Sequence, residues 1–367
     1  MQQLAILIVG LIALLCAGTQ ADASSRSCWS MPGDVLCVGD MSTTSTYYKD
    51  SHGFLLKTFG SSPKAPSNII GSWSFDTANG EDDSVYANGF ANPLPPAGVG
   101  LLRGASGYFT GKVTYSIPHI DAYSQHAEGT ISAWVYLLSE VEDNFRVVFR
   151  KGDGKSVDAF ELKVWPTTRL LRASAGSLSV NSQASVPLNK WTHLAIRIAP
   201  TKLDIFMNGV IVGSTTIQSA QATVSPLQMN KEAIYVASTA DMSTLGVHAY
   251  IDNLKWTRGA SPVAEIRAEA ALAAWGIPGG MEMVWLGCDE CTREQAVKIC
   301  AQEGIPAESA LYKPSHVCSE MELSAGAFMV ARNMGWLSLT SKMKVFTLDN
   351  AKVAKDTIGV GLCCLNE

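Results

Sequence analysis

The sequence predicts a mainly β protein: an antiparallel β-sandwich, then a linker helix and a small disulfide-rich α+β domain. Residues 193–198 alternate apolar and polar side chains, as expected of a strand with one buried face. Residues 203–207 form a second apolar run that enters Asn208-Gly209, a pair that tolerates the positive φ angles of a tight hairpin turn. Residues 210–213 predict the returning strand. The cysteines lie only before and after this region, which indicates a separate stapled domain at the end.

Residues 1–23 have the pattern of a secretory signal peptide. An apolar run over residues 4–17 is shorter than the roughly 20 residues of a membrane span, and a small-x-small cleavage pattern follows it. The terminal amine is the one positive charge ahead of the run, so an uncleaved membrane anchor is the alternative. We expect a secreted mature protein that does not span the membrane.

Charge and cysteine usage agree with export. The formal net charge of -5 becomes -4 when the signal peptide removes Asp22, because that segment has no other charged side chain. This mild acidity argues against nucleic acid and anionic membranes as partners, since both attract basic clusters. Loss of Cys16 reduces the nine cysteines to eight, an even set that suits an oxidising compartment.

Residues 24–67 predict a disulfide-closed lead-in followed by a linker. Cys28 and Cys37 flank a turn-rich loop and are expected to form one local bridge. Residues 60–67 (GSSPKAPS) cannot pack a core and mark the boundary of the next domain.

Residues 68–258 predict the sandwich itself. Residues 130–138 are apolar on both faces, as in a central strand that is covered on both sides. A Gly-Asp-Gly-Lys turn separates predicted strands at residues 146–150 and 160–165, and residues 249–256 close the series. Short strands separated by Gly, Asn, Asp and Pro are typical of antiparallel sandwiches.

Five short motifs follow one another in this region. They are Trp73-Ser74-Phe75-Asp76, Ser132-Ala133-Trp134-Val135, Trp191-Thr192-His193-Leu194-Ala195, Asn208-Gly209 and Ile251-Asp252-Asn253-Leu254. In this order they resemble the laminin-G-like branch of the concanavalin A-like lectin/glucanase jelly rolls, over about half of the chain. The glycine that this family usually has two residues before the last motif is replaced by Ala249.

The resemblance implies a calcium site and a recognition role. Such domains often hold calcium between the opening Phe-Asp and the closing Ile-Asp, so Asp76 and Asp252 are the candidate ligands, with backbone carbonyls near Asn79 and Gly80 as additions. A buried Asp252 could instead cap a turn or pair with an arginine. The resemblance also implies a carbohydrate or an extracellular protein as the partner.

The acidic residues do not have a glycosidase pattern. Glucanases of this fold use two carboxylates about 5 Å apart, carried on one strand face as E-x-D-x-E or E-x-D-x-x-E. The dense acidic run at residues 140–144 (EVEDN) lacks that pattern and predicts a solvated loop, and no G-x-S-x-G motif is present. We therefore expect no enzyme activity.

Several aromatic residues are candidate contacts for a glycan. Trp134 and Trp191 lie within predicted strands, which favours positions in the core. Tyr86, Tyr123 and Trp165 lie in predicted loops and are the better candidates for stacking on a sugar.

Residues 259–283 predict the linker helix. Ser261 as N-cap and Pro262 at the first helical position predict its start. Val263 and Ile266 belong to an apolar stripe at helical spacing, whereas Arg267 lies off that stripe. We expect this helix to pack on the sandwich or to join it to the last domain.

Residues 284–367 predict a cysteine-rich α+β module. Short strands are predicted at residues 345–348 and 358–362, and residues 316–323 with 331–336 resemble a module of alveolate surface proteins. Two capping boxes each predict the start of a helix: Thr292 with Gln295, and Ser319 with Glu322.

We expect disulfides among six cysteines to cross-link this module: Cys288, Cys291, Cys300, Cys318, Cys363 and Cys364. The adjacent Cys363 and Cys364 point to opposite faces of a strand, so we expect them to bond to different elements, the helix with Cys300 and the junction at Cys318. Sequence alone leaves the connectivity open. The Cys-x-x-Cys spacing also suits zinc, with His316 nearby, but export favours disulfides.

These observations predict a secreted, non-catalytic recognition or adhesion protein that binds a carbohydrate or an extracellular protein through its sandwich. The alternative is a structural component of a cell-surface or extracellular assembly, in which both domains serve as packing surfaces. A glycoside hydrolase acting through Glu140 or Glu142 is the more distant alternative.

Overall fold

The chain forms two compact units, Met1–Lys64 and Ala65–Glu367. The predicted signal peptide and the boundary segment at residues 60–67 lie outside the described residues. Within the described part, no helix has the length and apolar character needed to cross a membrane. The computed structural model describes residues 27–31, 34–38, 47–49, 55–57, 68–76, 80–101, 105–124, 128–153, 158–216, 230–242, 244–271, 284–304, 314–337, 344–349 and 352–366.

The first unit contains two antiparallel hairpins. The register of the first hairpin places Cys28 opposite Cys37 on neighbouring strands. The side chains of this unit lie outside the described set, so the Cys28–Cys37 disulfide stays a prediction. The hairpins pair β1 (Ser27–Met31) with β2 (Asp34–Val38), and β3 (Tyr47–Lys49) with β4 (Leu55–Lys57).

The second unit opens with the strands of the sandwich. A short 3-10 turn at Asp121–Ser124 lies between β8 and β9. The strands are β5 (Ile69–Trp73), β6 (Ala97–Val99), β7 (Ala105–Phe109), β8 (Ser116–Ile117), β9 (Gly129–Leu137), β10 (Arg146–Lys151), β11 (Phe160–Val164), β12 (Leu170–Ala175), β13 (Leu178–Ser185), β14 (Trp191–Ala199), β15 (Lys202–Met207), β16 (Val210–Thr216), β17 (Ile234–Val236) and β18 (Ala249–Arg258).

These strands form two antiparallel sheets, and the predicted jelly-roll sandwich is confirmed. The six-stranded sheet has the order β13-β12-β11-β10-β17-β8. The eight-stranded sheet has the order β16-β15-β14-β9-β18-β7-β6, and β5 pairs with β18 beside β7. Strand β9 lies in the centre of its sheet, as its apolar sequence predicts.

The predicted hairpin is present at its predicted place. Strands β15 and β16 pair across Asn208 and Gly209, whose φ angles are +49° and +77°. Both angles lie in the left-handed region that a tight turn between right-twisting strands requires. The alternating residues Leu194, Ile196 and Ile198 of β14 pack in the core between the two sheets.

Helix α1 (Val263–Ala270) packs on the sandwich, which confirms one of its two predicted roles. Its Val263 and Ile266 contact Ala195 and Phe206 of the eight-stranded sheet. The helix begins one residue later than predicted, because Pro262 and not Ser261 is its N-cap residue, and no side chain caps it. Arg267, predicted to lie off the buried stripe, is only 4% exposed.

The C-terminal module is a four-stranded sheet with short helices against it. The sheet has the order β19-β22-β20, and β21 pairs in parallel with β22. Its elements are β19 (Val284–Thr292), α2 (Arg293–Cys300), β20 (Ser315–Val317), α3 (Glu320–Glu322), a π-helical segment (Leu323–Ala327), α4 (Phe328–Asn333), β21 (Lys344–Phe346) and β22 (Ile358–Leu365).

The helix starts and the cysteine directions that the sequence predicts for this module are present in the structure. Both capping boxes are formed, with the Thr292 and Ser319 side chains each accepting a backbone N–H at the third helical position. The adjacent cysteines of β22 bond to different elements, as their opposite directions predict. The three disulfides are Cys288–Cys291, Cys300–Cys363 and Cys318–Cys364.

Candidate functional site

The outer face of the eight-stranded sheet carries aromatic residues that the C-terminal module covers. Trp134 and Trp191 are buried in one cluster with Trp285 and Trp336 of that module. The Trp336 indole Nε1 donates to the Trp191 carbonyl at 3.0 Å, and the Trp191 amide donates to the Met334 carbonyl at 2.8 Å. Both tryptophans are therefore buried as predicted, but between two domains rather than inside the sandwich.

Helix α1 covers another part of that face and holds a polar cluster beneath it. Glu269 accepts a hydrogen bond from the Ser132 hydroxyl at 3.0 Å, pairs with Lys255, and lies 3.8 Å from Nε2 of His193. Burial lowers the pKa of His193 to about 3, and the positive charge of Lys255 contributes. His193 is therefore neutral, and the cluster holds the helix against the sheet.

The outer face of the six-stranded sheet carries a different surface. Alternation along β11 places Leu162 and Val164 in the core, so Glu161 and Lys163 lie on the outer face and Trp165 follows them. Lys163 and Trp165 are partly exposed. Unlike Trp134 and Trp191 of the other sheet, these side chains are not fully buried in the described part of the chain.

Five residues of this face form what we call the Trp165 cluster. The ring centroids of Phe145 and Trp165 are 4.3 Å apart, and Nζ of Lys163 lies 5.2 Å from the centroid of the Phe145 ring. The Trp165 indole Nε1 donates to the side-chain carbonyl of Asn181 at 3.2 Å. The members of the cluster are Phe145, Lys163, Trp165, Arg172 and Asn181.

Sheet register aligns the polar members of the cluster across three strands. Lys163 on β11 lies directly opposite Arg172 on β12, and Arg172 lies directly opposite Asn181 on β13. Side chains at directly opposite positions share one face of the sheet with Cβ atoms about 5 Å apart. The result is a row of hydrogen-bonding groups beside two aromatic rings.

The carboxylates next to the Trp165 cluster form ion pairs. Arg150 contacts Asp158 at 2.6 Å and Glu161 at 3.6 Å, and Lys163 contacts Glu161 at 2.6 Å. Burial lowers the pKa of Arg150, but its bonds to these two carboxylates outweigh that effect and raise it. Both carboxylates therefore serve as partners of cations on the same face.

The predicted calcium ligands Asp76 and Asp252 are close enough for their charges to interact, and Asp252 lies on β18, an inner strand of the eight-stranded sheet. Asp252 is buried, and its two carboxylate oxygens accept backbone N–H groups of Leu101 at 2.8 Å and Asn253 at 2.7 Å. Burial raises the pKa of Asp252 to about 7, and the charge of the exposed Asp76 adds to this effect. Two carboxylates that repel each other fit the anionic part of a calcium site.

The remaining calcium ligands are not settled by this pair. Calcium takes six to eight oxygens. Asn79 lies outside the described residues, and the Gly80 carbonyl accepts the Phe90 amide at 3.0 Å. Among the described residues, no group of three or more His, Cys, Asp or Glu side chains is placed to hold a metal. A calcium ion at Asp76 and Asp252 thus remains a proposal.

Comparison with known families agrees with this architecture. Residues 109–267 match the family model described as the concanavalin A-like lectin/glucanases superfamily. The sandwich is a concanavalin A-like domain. Residues 281–367 match a second family model, described as a domain of unknown function, DUF8019. The resemblance of this module to alveolate surface proteins stays a prediction. No curated protein matches the chain.

Several solved structures are similar to part of the chain at low identity. Domain 4 of the arabinanase AbnA from Geobacillus stearothermophilus is 16% identical over 55% of this chain and 98% of its own, with a TM-score of 0.45. Trypanosoma rangeli sialidase is 14% identical over 57% of this chain and 33% of its own, with a TM-score of 0.41. Botulinum neurotoxin type C is 12% identical over 55% of this chain and 50% of its own, with a TM-score of 0.44.

The acidic run of the concanavalin A-like domain forms a loop between β9 and β10, as predicted. Glu142 and Asp143 are exposed, and Glu140 forms a bidentate ion pair with Arg169 at 2.5 and 2.6 Å. The run therefore shapes the loop and presents no pair of carboxylates on one strand face.

The candidate loop aromatics have three different environments. Tyr123 is fully buried and stacks on Trp256 at 4.4 Å, so its prediction as a sugar contact is wrong. Tyr86 is exposed and receives a hydrogen bond from Arg258. Trp165 alone of the three lies beside a row of polar groups. Sequence reasoning missed Arg172. The available signal was its position between the apolar residues Leu171 and Ala173, which are buried, so that Arg172 lies on the opposite face of the strand.

The Cys-x-x-Cys pair of the C-terminal module is not placed as a metal site. Cys288 and Cys291 are bonded to each other, which favours the predicted disulfide over zinc. His316 instead hydrogen-bonds Glu322 at 3.0 Å, next to the capping box of Ser319.

Proposed function

We propose that the protein is a secreted recognition protein whose concanavalin A-like domain binds a carbohydrate through the Trp165 cluster. The observation that carries the proposal is the contrast between the two outer faces. Trp134 and Trp191 are buried under the C-terminal module, whereas Trp165 and its polar neighbours on the other face are at least partly exposed. The superfamily, which includes lectins, supports a saccharide as the ligand.

The chemistry of the cluster suits a sugar. Saccharide-binding surfaces need an apolar face for the C–H groups of the ring and polar groups at fixed positions for its hydroxyls. Trp165 and Phe145 supply the first, and Asn181, Arg172 and Lys163 supply the second. Strands hold all of these groups except Phe145 and Trp165, which border the strand ends, so little ordering is needed on binding.

We further propose that binding is not followed by catalysis. A retaining glycosidase needs two carboxylates about 5 Å apart that act as nucleophile and acid. On this face, Asp158 and Glu161 are ion-pair partners of Arg150, and Glu161 also pairs with Lys163. Turnover of a bound glycan that is lost in Glu161→Gln would contradict this part of the proposal.

A glycan array with the full chain tests the proposed function. Wild-type protein should bind a defined set of glycans, and Trp165→Ala should lose at least 10-fold in affinity for them, since it removes about 1.4 kcal/mol or more of contact. Tyr86→Ala, which removes an exposed aromatic ring elsewhere on the domain, should bind as wild type does. Thermal unfolding of both variants shows whether each is folded.

Two outcomes would overturn the proposal. One is an array on which folded wild-type protein binds no glycan, with and without calcium. The other is a Trp165→Ala variant that keeps wild-type affinity, because the site would then lie elsewhere.

Exposed apolar residues of the C-terminal module favour the alternative of a structural component. Met321 lies before the kink at Gly326, and Phe328 and Met329 lie after it; the three expose 70%, 42% and 48% of their surface. Apolar groups clustered on a surface are typical of contacts with other proteins. Isolation of the protein as a stoichiometric member of an insoluble extracellular assembly, without glycan binding, would support this second function.

A further inference from the structure

We propose that the saccharide bound by the Trp165 cluster is anionic and carries carboxylate or sulfate groups. This inference rests on the proposed function, because it specifies the ligand of the same site. Two cations of the cluster, Lys163 and Arg172, lie side by side on neighbouring strands, and a carboxylate partner is present for Lys163 alone among the described residues.

The hydrogen-bond partner of Arg172 is neutral. Its guanidinium donates to the Ser179 hydroxyl at 3.4 Å. Within the described part of the chain, it forms no ion pair with a carboxylate, whereas Lys163 pairs with Glu161. The two adjacent cations occur in a chain whose formal net charge is -5, so composition does not account for them.

The register of the sheet places these two cations directly opposite each other. Lys163 and Arg172 occupy facing positions on β11 and β12. Like charges at facing positions destabilise a sheet, whereas opposite charges stabilise it. The neighbouring pair of strands has the stabilising arrangement, with Arg150 facing Glu161. The Lys163–Arg172 pair therefore costs stability in the free protein, and an anion that bridges the two side chains would remove that cost.

The chemistry of these groups matches an acidic sugar. Guanidinium groups bind carboxylate and sulfate oxygens through paired N–H donors. Trp165 and Phe145 lie beside the cations and offer an apolar surface to the same sugar residue. An acidic saccharide would thus place its ring on the aromatic side chains and its charge at Arg172 and Lys163.

Binding to acidic glycans and to their neutral parents tests the inference. The array carries oligogalacturonate beside its methyl ester, and sulfated beside unsulfated dextran oligosaccharides, within a broad set of other acidic and neutral glycans. Wild-type protein should bind acidic members and not their neutral parents, with affinity that falls as salt is added. The carboxylate and sulfate arms identify which anion is preferred.

Substitution of Arg172 adds a readout that a structural role would not give. Arg172→Gln should weaken binding by about 10- to 100-fold. The same change should raise the melting temperature of the unliganded protein, by about 1–2 °C, because it removes the facing like charges. Arg332→Gln removes the same charge from an exposed position of the C-terminal module and should change neither quantity.

The outcomes separate this inference from the proposed function. Binding of neutral glycans that Arg172→Gln leaves unchanged would overturn the inference and keep the proposed function. An array without any bound glycan would overturn both. Selective binding of acidic glycans with the expected loss in Arg172→Gln would support both.

Discussion

His193 is a titratable residue that the fold keeps uncharged. Its folded pKa of about 3 lies below the usual value of 6.5 because of burial, and then because of Lys255. Between these two pH values the unfolded chain binds a proton that the folded protein does not. The contribution of this residue to stability is therefore lost as pH falls from about 6.5 toward 3.

A pH series on His193→Gln tests this effect. The wild-type free energy of unfolding should fall relative to that of the variant by about 1.4 kcal/mol per pH unit over that interval. Denaturant unfolding at several pH values measures the difference. Parallel curves for wild type and His193→Gln would contradict the prediction.

Asp252 is the residue that decides the calcium proposal. A cation between Asp252 and Asp76 would relieve their repulsion and favour the charged form of the buried carboxyl. Adding calcium to metal-free protein should then raise the melting temperature, with a stabilisation of about 2.7 kcal/mol at 100 times the dissociation constant.

Asp252→Asn should abolish the response to calcium. Asp82→Asn is a suitable control, since Asp82 is also a buried carboxylate that accepts backbone N–H groups, from Ser72 and Ser84. That variant should be less stable but should keep the calcium response. A wild-type protein that ignores calcium would end the proposal.

At the scale of elements, the β15–β16 hairpin and helix α1 are coupled through Gly209. An ideal Cβ at Gly209 would lie 2.8 Å from Cγ and 2.9 Å from Cα of Arg267. Gly259 also has a positive φ angle, of +81°, but has no atom within 4 Å of its ideal Cβ. The two glycines therefore separate backbone strain from contact with the helix.

Alanine substitutions at both positions should differ in cost. Gly259→Ala should lower the free energy of unfolding by about 1–2 kcal/mol, because alanine is strained at this φ angle. Gly209→Ala should lower it by a further 1–3 kcal/mol or so, because the new methyl group displaces α1. If denaturant unfolding gives both variants the same loss of unfolding free energy, helix α1 moves away from the new methyl group at no cost in stability.

Local elements could be predicted from the sequence because their causes are local. The Asn208-Gly209 turn and the Thr292 and Ser319 capping boxes depend on side chains within four residues of each other. Burial of Arg267 could not be predicted, since it depends on the approach of a hairpin that is distant in sequence. The π-helical segment at Leu323–Ala327 was likewise missed, although Gly326, with a φ angle of +146°, was a signal within it.

The candidate site follows the same division. Trp165 could be found because it is a large aromatic residue at a predicted strand end. Its polar neighbours could not, because Lys163, Arg172 and Asn181 meet only through the register of three strands. The burial of Trp134 was predicted correctly but assigned to the wrong layer, since a single strand pattern does not show which domain covers its outer face.

At the scale of the molecule, the C-terminal module packs on the outer face of the eight-stranded sheet and forms a second buried cluster with it. The tryptophans of the two domains share one buried cluster, and Trp336 both fills it and donates a hydrogen bond to Trp191. Lys190 and Asp289 add an ion pair of 2.8 Å across the same boundary. The two domains should therefore unfold together, in one transition.

Trp336→Ala should uncouple them. Loss of a large buried side chain costs about 3–5 kcal/mol, and here the lost contacts lie mainly between domains. Hydrogen exchange followed by mass spectrometry should give β14 and β22 the same opening free energy in wild type, and a lower value for β22 than for β14 in the variant. Trp165→Ala changes a tryptophan on the opposite face of the sandwich. It should leave the opening free energies of β14 and β22 equal to each other. If β14 and β22 already exchange independently in wild type, the shared cluster does not bind the domains into one cooperative unit, and the covered face would have to be reconsidered as a second surface for ligands.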